Sequence, residues 1–413
     1  MAQKPRPLQP HLSAAHLLGA RLRDHRVRHG LSQNGLGRLI HVSGDLVGKV
    51  EKGERRPQES FVTACEAVLG VDGELGRLWA AIGGPTGQVR ASLTGNHEIV
   101  LAQLPALRRA LDAYDLPGDV PAPSATALRQ TADRIMTMRL GSQYAALSVE
   151  LPQVLADVGR AFHSSQGLAR QELAGQFCQV FRAADAVADK FAHYDLSARI
   201  IGLMAWAAQE SGDPAMVATA AYVRAETFFA TGDWETGRCM LERAANLVNP
   251  AESVPNAAAY GALHMRAAIL AARNRRLTAA QAHIDEAATV AGQVPEGVYH
   301  GTAFGPASVR IHRVSLSVDA GEPGAALRAA ADWVPPLSVP AERRSHFFVD
   351  LAEGQAQSGR PGEAVASLQV ARRIAPQHVR YHPQVKVLVS ALLSRSPKCS
   401  ASLRQFAVWT GMV

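Results

Sequence analysis

The sequence predicts an all-α protein in two parts, a small bundle of short helices near the N-terminus and a longer array of helical repeats behind it. Three observations lead there. Apolar residues recur at helical spacing through the chain, with an alanine-rich composition and few β-branched runs. Breaks rich in Gly, Ser and Pro at 83–95 and 115–125 set the first part off from the second. From residue 232 onward, turn signals recur 42, 47 and 38 residues apart, an irregular period within the range of helical repeats. With 413 residues, 47% hydrophobic and 19% charged, the chain has material for two or three packed cores rather than a disordered segment.

The expected boundaries are an arm over 1–16, a helical bundle over 17–82, a linker with a short helix over 83–123 and a repeat domain over 124–413. In the bundle, Leu18, Leu22 and Val27, then Leu31, mark the apolar stripe of a first helix ended by Gly30. Ser32 suits the N-cap of a second helix with Leu36, Leu39 and Ile40, because its hydroxyl can accept from the free backbone amides of the first turn. After a turn at His41–Val42, Ser43 caps a third helix bearing Leu46, Val47 and Val50. Gly53 stops it, and Pro57 precedes a fourth with Phe61, Ala64, Cys65, Val68 and Leu69. Two short helices joined by a tight turn inside such a bundle describe a helix-turn-helix domain. Charge agrees with that. Residues 1–60 hold 11 Lys/Arg against 5 Asp/Glu, while the whole chain holds 43 against 36. A basic face on one small domain is what a polyanion attracts.

The stretch LRDHRVRHGLSQNGLGRLIHVSGDLVGKVEKGERRP resembles the Cro/repressor (XRE-type) helix-turn-helix, in its LSQ opening and its VEKG ending. The resemblance implies that residues 43–51 are the recognition helix in the major groove of double-stranded DNA. By it, Gln33 touches phosphate, Ser43, Gly44, Asp45 and Lys49 stand where base edges are read, and Arg55 and Arg56 contact the backbone from the following loop. It also pairs Arg26 with Glu51 as an internal salt bridge. Physically, Lys49 can donate to guanine O6/N7 or to phosphate. Asp45 can accept from cytosine N4 or simply favour the helix N-terminus through the dipole. Gly44 and Gly48 depart from the pattern, since each weakens the helix by roughly 1 kcal/mol relative to Ala and offers no side chain to a base. Sparse base readout, with affinity carried mainly by phosphate contacts, is the expectation.

After the linker, with its short helix over Ile99, Leu101, Leu104, Leu107 and Leu111, helix follows helix. The segment AYVRAETFFATGDWETGRCMLERAANLVNP shows the unit: small Ala225 and bulky Phe228, a turn at Gly232, then small Gly237, Leu241 and Ala244 before Pro250. HFFVDLAEGQAQSGRPGEAVASLQVARRIAP repeats it. Small residues at a helix crossing let two helices approach closely. This spacing resembles tetratricopeptide repeats and implies an α-solenoid with about five pairs between 176 and 375. The first helix of each pair would line its concave face. The resemblance places Tyr222, Glu226 and Phe229, Met265 and Ile269, and His346, Val349 and Glu353 on that face, as a binding surface for a peptide or small-molecule signal. An XRE-type head on such a body resembles peptide-responsive quorum-sensing regulators and related actinobacterial regulators.

Other function classes find no support in the residues. There is no GxxxxGK phosphate loop and no GxSxG elbow. His97–Glu98 opens like a zinc-protease motif, but Leu101 stands where its second ligand belongs. His378 and His382 lie four apart, yet Pro376 and Pro383 break that segment, so no metal site and no cofactor are expected. Cys65, Cys178, Cys239 and Cys399 form no CxxC pair, which points to a reducing compartment. No apolar run reaches the ~18 residues that span a bilayer, and the N-terminus lacks the apolar core of a signal peptide. The reading is a cytoplasmic, non-enzymatic regulator that binds DNA as a homodimer, because one small reading head makes few contacts alone. The competing reading is a protein-interaction scaffold that uses the repeats and carries a degenerate helix-turn-helix.

Overall fold

The computed structural model describes residues 14–55, 57–71, 74–81, 86–395 and 400–412. Among them are 21 α-helices and one two-stranded antiparallel ribbon. The chain divides into two units at Gly95–Asn96, each with its own interior.

In the first unit, α1 (Ala14–Arg28), α2 (Gln33–Leu39), α3 (Gly44–Glu51), α4 (Glu59–Leu69) and α5 (Glu74–Ala81) follow one another through short turns. The capping signals act as the sequence suggests. Ser32 Oγ accepts from the Gly35 amide at 2.9 Å, and Ser43 Oγ accepts from the Leu46 amide at 3.2 Å. Gly30 and Gly53 take the left-handed conformation, at φ +66° and +70°, that ends α1 and α3. Leu18, Leu22, Leu36, Val47, Val50, Cys65 and Leu69 form the core. Val27 and Leu39, expected on the buried stripes, are instead 58% and 52% exposed. For Val27 the reason lies one residue earlier: Arg26, four after Leu22, takes the inward position and is 7% exposed, while next to Leu39 it is Ile40 that is buried. Where α2 turns into α3, a Cβ on Gly37 would lie 2.6 Å from the Val42 carbonyl oxygen, so only glycine allows this approach.

The short helix expected over 99–111 begins earlier, in α6 (Thr86–Asp112), and so covers much of the stretch read as linker. Residues 82–85 lie outside the described residues. Val100, Leu104, Leu107 and Leu111 are buried in the core of the second unit. That unit therefore takes in 96–123 and does not begin at 124. The apolar repeat of three and four residues along α6 has a core to enter, and this outweighs the weak helix propensity of the Gly and Thr residues preceding it.

The second unit continues with α7 (Ala125–Leu140), α8 (Tyr144–Ser164), α9 (Gly167–Lys190), α10 (Tyr194–Ser211), α11 (Pro214–Thr231), α12 (Trp234–Ala245), α13 (Val254–Arg273) and α14 (Leu277–Ala291). The ribbon β1 (Gly297–Tyr299) and β2 (Thr302–Phe304) comes next. It leads to α15 (Pro306–Asp319), α16 (Pro323–Ala330), α17 (Ala341–Gln357), α18 (Pro361–Ile374), α19 (Pro376–Tyr381), α20 (Pro383–Arg395) and α21 (Ala401–Thr410). Helices α9 to α18 pack as consecutive pairs, and the first helices α9, α11, α13, α15 and α17 also pack in a row, each on the next. Small residues let the pairs close: a Cβ on Gly237 would lie 2.8 Å from Phe228 Cβ. The sequence reading omits the ribbon. Its turn places His300 and Gly301 at φ +45° and +74°, a conformation that joins two strands in a tight hairpin. Glu296 anchors it by accepting from the Ala307 and Ser308 amides at 2.7 and 3.0 Å, capping α15.

Candidate nucleic-acid interface and ligand cavity

Helix α3 shows two faces. Val47 and Val50 enter the core, while Ser43, Asp45 and Lys49 are exposed, with Lys52 and Arg55 exposed just beyond. Asp45 and Lys49 pair across one turn at 2.7 Å. The Lys49 ammonium, as hydrogen-bond donor and nearby charge, holds the Asp45 carboxyl below its usual value. Lys49 therefore has to leave Asp45, or bring it along, to meet a base or a phosphate. Gly44 faces Asn34: a Cβ there would fall 1.8 Å from the Asn34 side-chain oxygen. Gly48 faces Gln33 at 3.1 Å, so both glycines make room for α2 rather than for a base. Arg56 lies outside the described residues.

Behind this face sits a closed charge network. Arg26 Nε donates to Glu51 Oε1 at 2.5 Å and its Nη2 to Oε2 at 3.0 Å, while Nη1 donates to the Leu31 carbonyl at 2.6 Å. The Gln33 amide donates to Glu51 Oε2 at 2.8 Å. Gln33 is exposed, but its amide nitrogen serves the internal pair, tying the start of α2 to the end of α3.

In the second unit, α7, α9, α11, α13, α17 and the hairpin turn line a small open cavity of about 70 Å³. Its lining is charged rather than apolar. Arg139 Nη2 donates to the Gly301 carbonyl at 2.5 Å; Arg182 Nη1 donates to the His300 carbonyl and to Thr302 Oγ1, both at 2.7 Å. Arg266 pairs with Glu226 at 3.3 Å and lies 4.0 Å over the Tyr222 ring. Arg343 donates to the Tyr222 hydroxyl at 3.1 Å. Lys190 pairs with Asp189 at 2.8 Å. Several buried atoms remain without a hydrogen-bond partner, among them Arg139 Nε, Arg266 Nε and Gln179 Oε1.

The titration of these groups follows from the crowding. Burial, then the neighbouring Arg139, brings Arg182 down to about 9. Burial opposes ionisation of Tyr222, but Arg266, Arg343 and Arg182 outweigh it and bring the phenol down to about 8. Burial and the nearby Glu226 push Asp185 well above the usual carboxylate range. At neutral pH the cavity therefore carries an excess of positive charge near Arg139 and Arg182, whose hydrogen-bond partners are all neutral.

Of the residues expected on the ligand-facing surface, Tyr222 and Glu226 line this cavity. Met265 and Ile269 are 0% and 8% exposed in the apolar core, and Val349 is likewise buried. On α13 it is Arg266, one residue along and so about 100° round the helix, that faces the cavity. Phe229 is half-buried against Trp234, with Arg273 4.8 Å over its ring. Glu353 accepts from Gln357 at 3.3 Å and from Gln384. His346 joins a different group. The sequence reading missed the cations of the cavity, because they come from four helices far apart in the chain, α7, α9, α13 and α17, and none belongs to a repeat signature. Only the His300–Gly301 turn between apolar strands carried a local signal.

His346 lies beside His378 and His382, with ligand-capable nitrogens all within 4.8 Å of one another. Pro376 and Pro383, read as breaks, are the first residues of α19 and α20. Proline is tolerated there because its missing N–H has no intrahelical partner in any case. The two rings consequently meet, 5.0 Å between centroids.

Among the described residues no helix is long and apolar enough to cross a membrane. No curated protein matches the sequence. Among solved structures, Bacillus thuringiensis PlcR in complex with the peptide PapR7 and DNA is similar at 14% identity, over 67% of this chain and 94% of that one, with a TM-score of 0.30. BtubC (BKLC) from P. vanneervenii is similar at 16% identity, over 63% and 95%, with a TM-score of 0.35. Residues 17–79 match the family model of a helix-turn-helix domain, the same stretch in which α2, its glycine turn and α3 lie, and the N-terminal unit of this chain is a helix-turn-helix domain.

Proposed function

We propose that the chain is a cytoplasmic DNA-binding transcription regulator whose helical body receives a peptide or small-molecule signal bearing an anionic group. The observation that carries this reading is the exposed polar face of α3 within the stretch that matches a helix-turn-helix. Ser43, Asp45 and Lys49 would meet base edges, and Lys52 and Arg55 would meet phosphates. In the body, Arg139 and Arg182 would bind a carboxylate or phosphate of the signal, and Tyr222 and Glu226 would contact the rest of it. Homodimerisation would set two heads on a palindromic site, multiplying a contact set that is small in one head.

The test is a gel-shift series in rising salt against genomic fragments. A slope of log K on log salt near −0.9 per phosphate contact is expected. Lys49→Ala should lose roughly 1–3 kcal/mol of preference for the selected sequence. Arg55→Ala should weaken all duplexes alike and lower the slope by about 1. If no fragment is retained at low salt, the chain is not a DNA-binding regulator.

A further inference from the structure

We propose that His346, His378 and His382 form a binding site for a divalent transition-metal ion of the zinc type, joining α17 to the start of the C-terminal helices. Three imidazoles meet in one place, their ligand-capable nitrogens all within 4.8 Å of one another. Bound zinc at roughly 2.0–2.1 Å from each nitrogen needs those nitrogens about 3.4 Å apart. Small rotations of three side chains supply that contraction.

Burial and unmet hydrogen bonding point to a ligand. His378 is 2% exposed, and neither of its ring nitrogens has a hydrogen-bond partner; His382 Nδ1 is also buried without one. A neutral imidazole carries one N–H and one lone pair, and burying both unpaired is unfavourable. Packing alone gives no reason to gather three such rings. A metal ion takes a lone pair from each ring. It leaves each remaining N–H free to turn toward a nearby carboxylate, as ligating histidines ordinarily do. Two carboxylates lie near: Asp350 Oδ2, which also accepts from Ser315, lies 3.5 Å from His346 Nε2, and Glu342 Oε1 lies 3.8 Å from His378 Nδ1. One of them can also complete a tetrahedral set as fourth donor, with three imidazoles favouring Zn2+, Cu2+ or Ni2+ over Mg2+ or Ca2+.

The test uses the full-length protein stripped of metal with a chelator and titrated with Zn2+ by calorimetry, then with Co2+ followed by visible absorption. One equivalent of Zn2+ should bind and raise the melting temperature of the body, and Co2+ should give the intense spectrum of a tetrahedral site. His346→Gln, at a partly exposed position, should weaken binding by more than the roughly 10–100-fold that loss of an outer partner costs. His346→Cys should restore binding and add a sulfur-to-cobalt charge-transfer band, which shows that the residue touches the metal in a folded protein. Unchanged stoichiometry and affinity in His346→Gln, or a Co2+ spectrum that His346→Cys leaves unaltered, would overturn the site.

Discussion

Each unit of this protein buries a cluster of charges, and the two clusters are finished differently. In the head, Arg26 and Glu51 exchange two hydrogen bonds, and a backbone carbonyl and the Gln33 amide occupy further positions around the pair. In the body, Arg139 and Arg182 reach only carbonyls and a hydroxyl, and the Nε groups of Arg139 and Arg266 find no partner. A saturated buried pair holds a fold together and has nothing left to offer. An unsaturated one carries charge and hydrogen-bonding capacity that a ligand can complete. The same residue type thus serves structure in one unit and recognition in the other.

The largest effect should come from opening the closed cluster. Glu51→Ala leaves the Arg26 guanidinium buried without its counter-charge, which should cost the head about 3–5 kcal/mol. Hydrogen exchange reads this in place: amides of α1 and α3 should lose protection by a factor of several hundred while those of α9 and α13 keep theirs. Equal protection of α3 in the variant and the parent would mean that the pair contributes little, and the contrast between the clusters would fail.

Removing a member of the open cluster should do the reverse. Arg182→Met replaces a cation whose partners are neutral with an apolar chain of similar length, so the body should lose only about 1 kcal/mol or less. Inorganic phosphate, used as a probe of the cationic end, should stabilise the parent body, and its apparent affinity should fall at least tenfold in the variant, about 1.4 kcal/mol. A large loss of stability with unchanged phosphate response would make the cavity cations structural, like those of the head.

This contrast was only partly legible in the sequence. The head could be read closely because its signals are local: Ser32 and Ser43 cap the helices they precede, Gly30 and Gly53 end two of them, and Arg26 with Glu51 belongs to a recognisable pattern. Of the two errors there, Val27 came from extending an apolar stripe over a position that a buried ion pair had taken, whereas beside Leu39 the inward places go to Leu36 and Ile40. In the body the pairing of helices follows from small residues such as Gly237. Its site, however, is assembled from residues as far apart as Arg139 and Arg343. Spacing along one helix says nothing about which of Met265 and Arg266 faces a cavity built by five other elements. The histidine group was hidden for a related reason. Pro376 and Pro383 read as interruptions, whereas each starts a helix and together they fold His378 and His382 toward each other.

The smallest effect is spectroscopic and probes the open cluster directly. Tyr222 ionises at about 8 because three guanidiniums outweigh its burial, against about 10 for a phenol in the unfolded chain. Below 8 the phenol is protonated in both states, so the shift adds no stability at neutral pH. Between 8 and 10 the unfolded chain binds the extra proton, and stability from this group should rise with pH across that window, then level off above it. One tyrosinate transition near pH 8 should appear in the ultraviolet difference spectrum and vanish in Tyr222→Phe. An anion bound by Arg139 and Arg182 neutralises positive charge that favours the phenolate, so saturating phosphate should move the transition upward. A midpoint that phosphate leaves in place would show that the anion binds elsewhere, and the cavity would then share the closed character of the Arg26–Glu51 cluster.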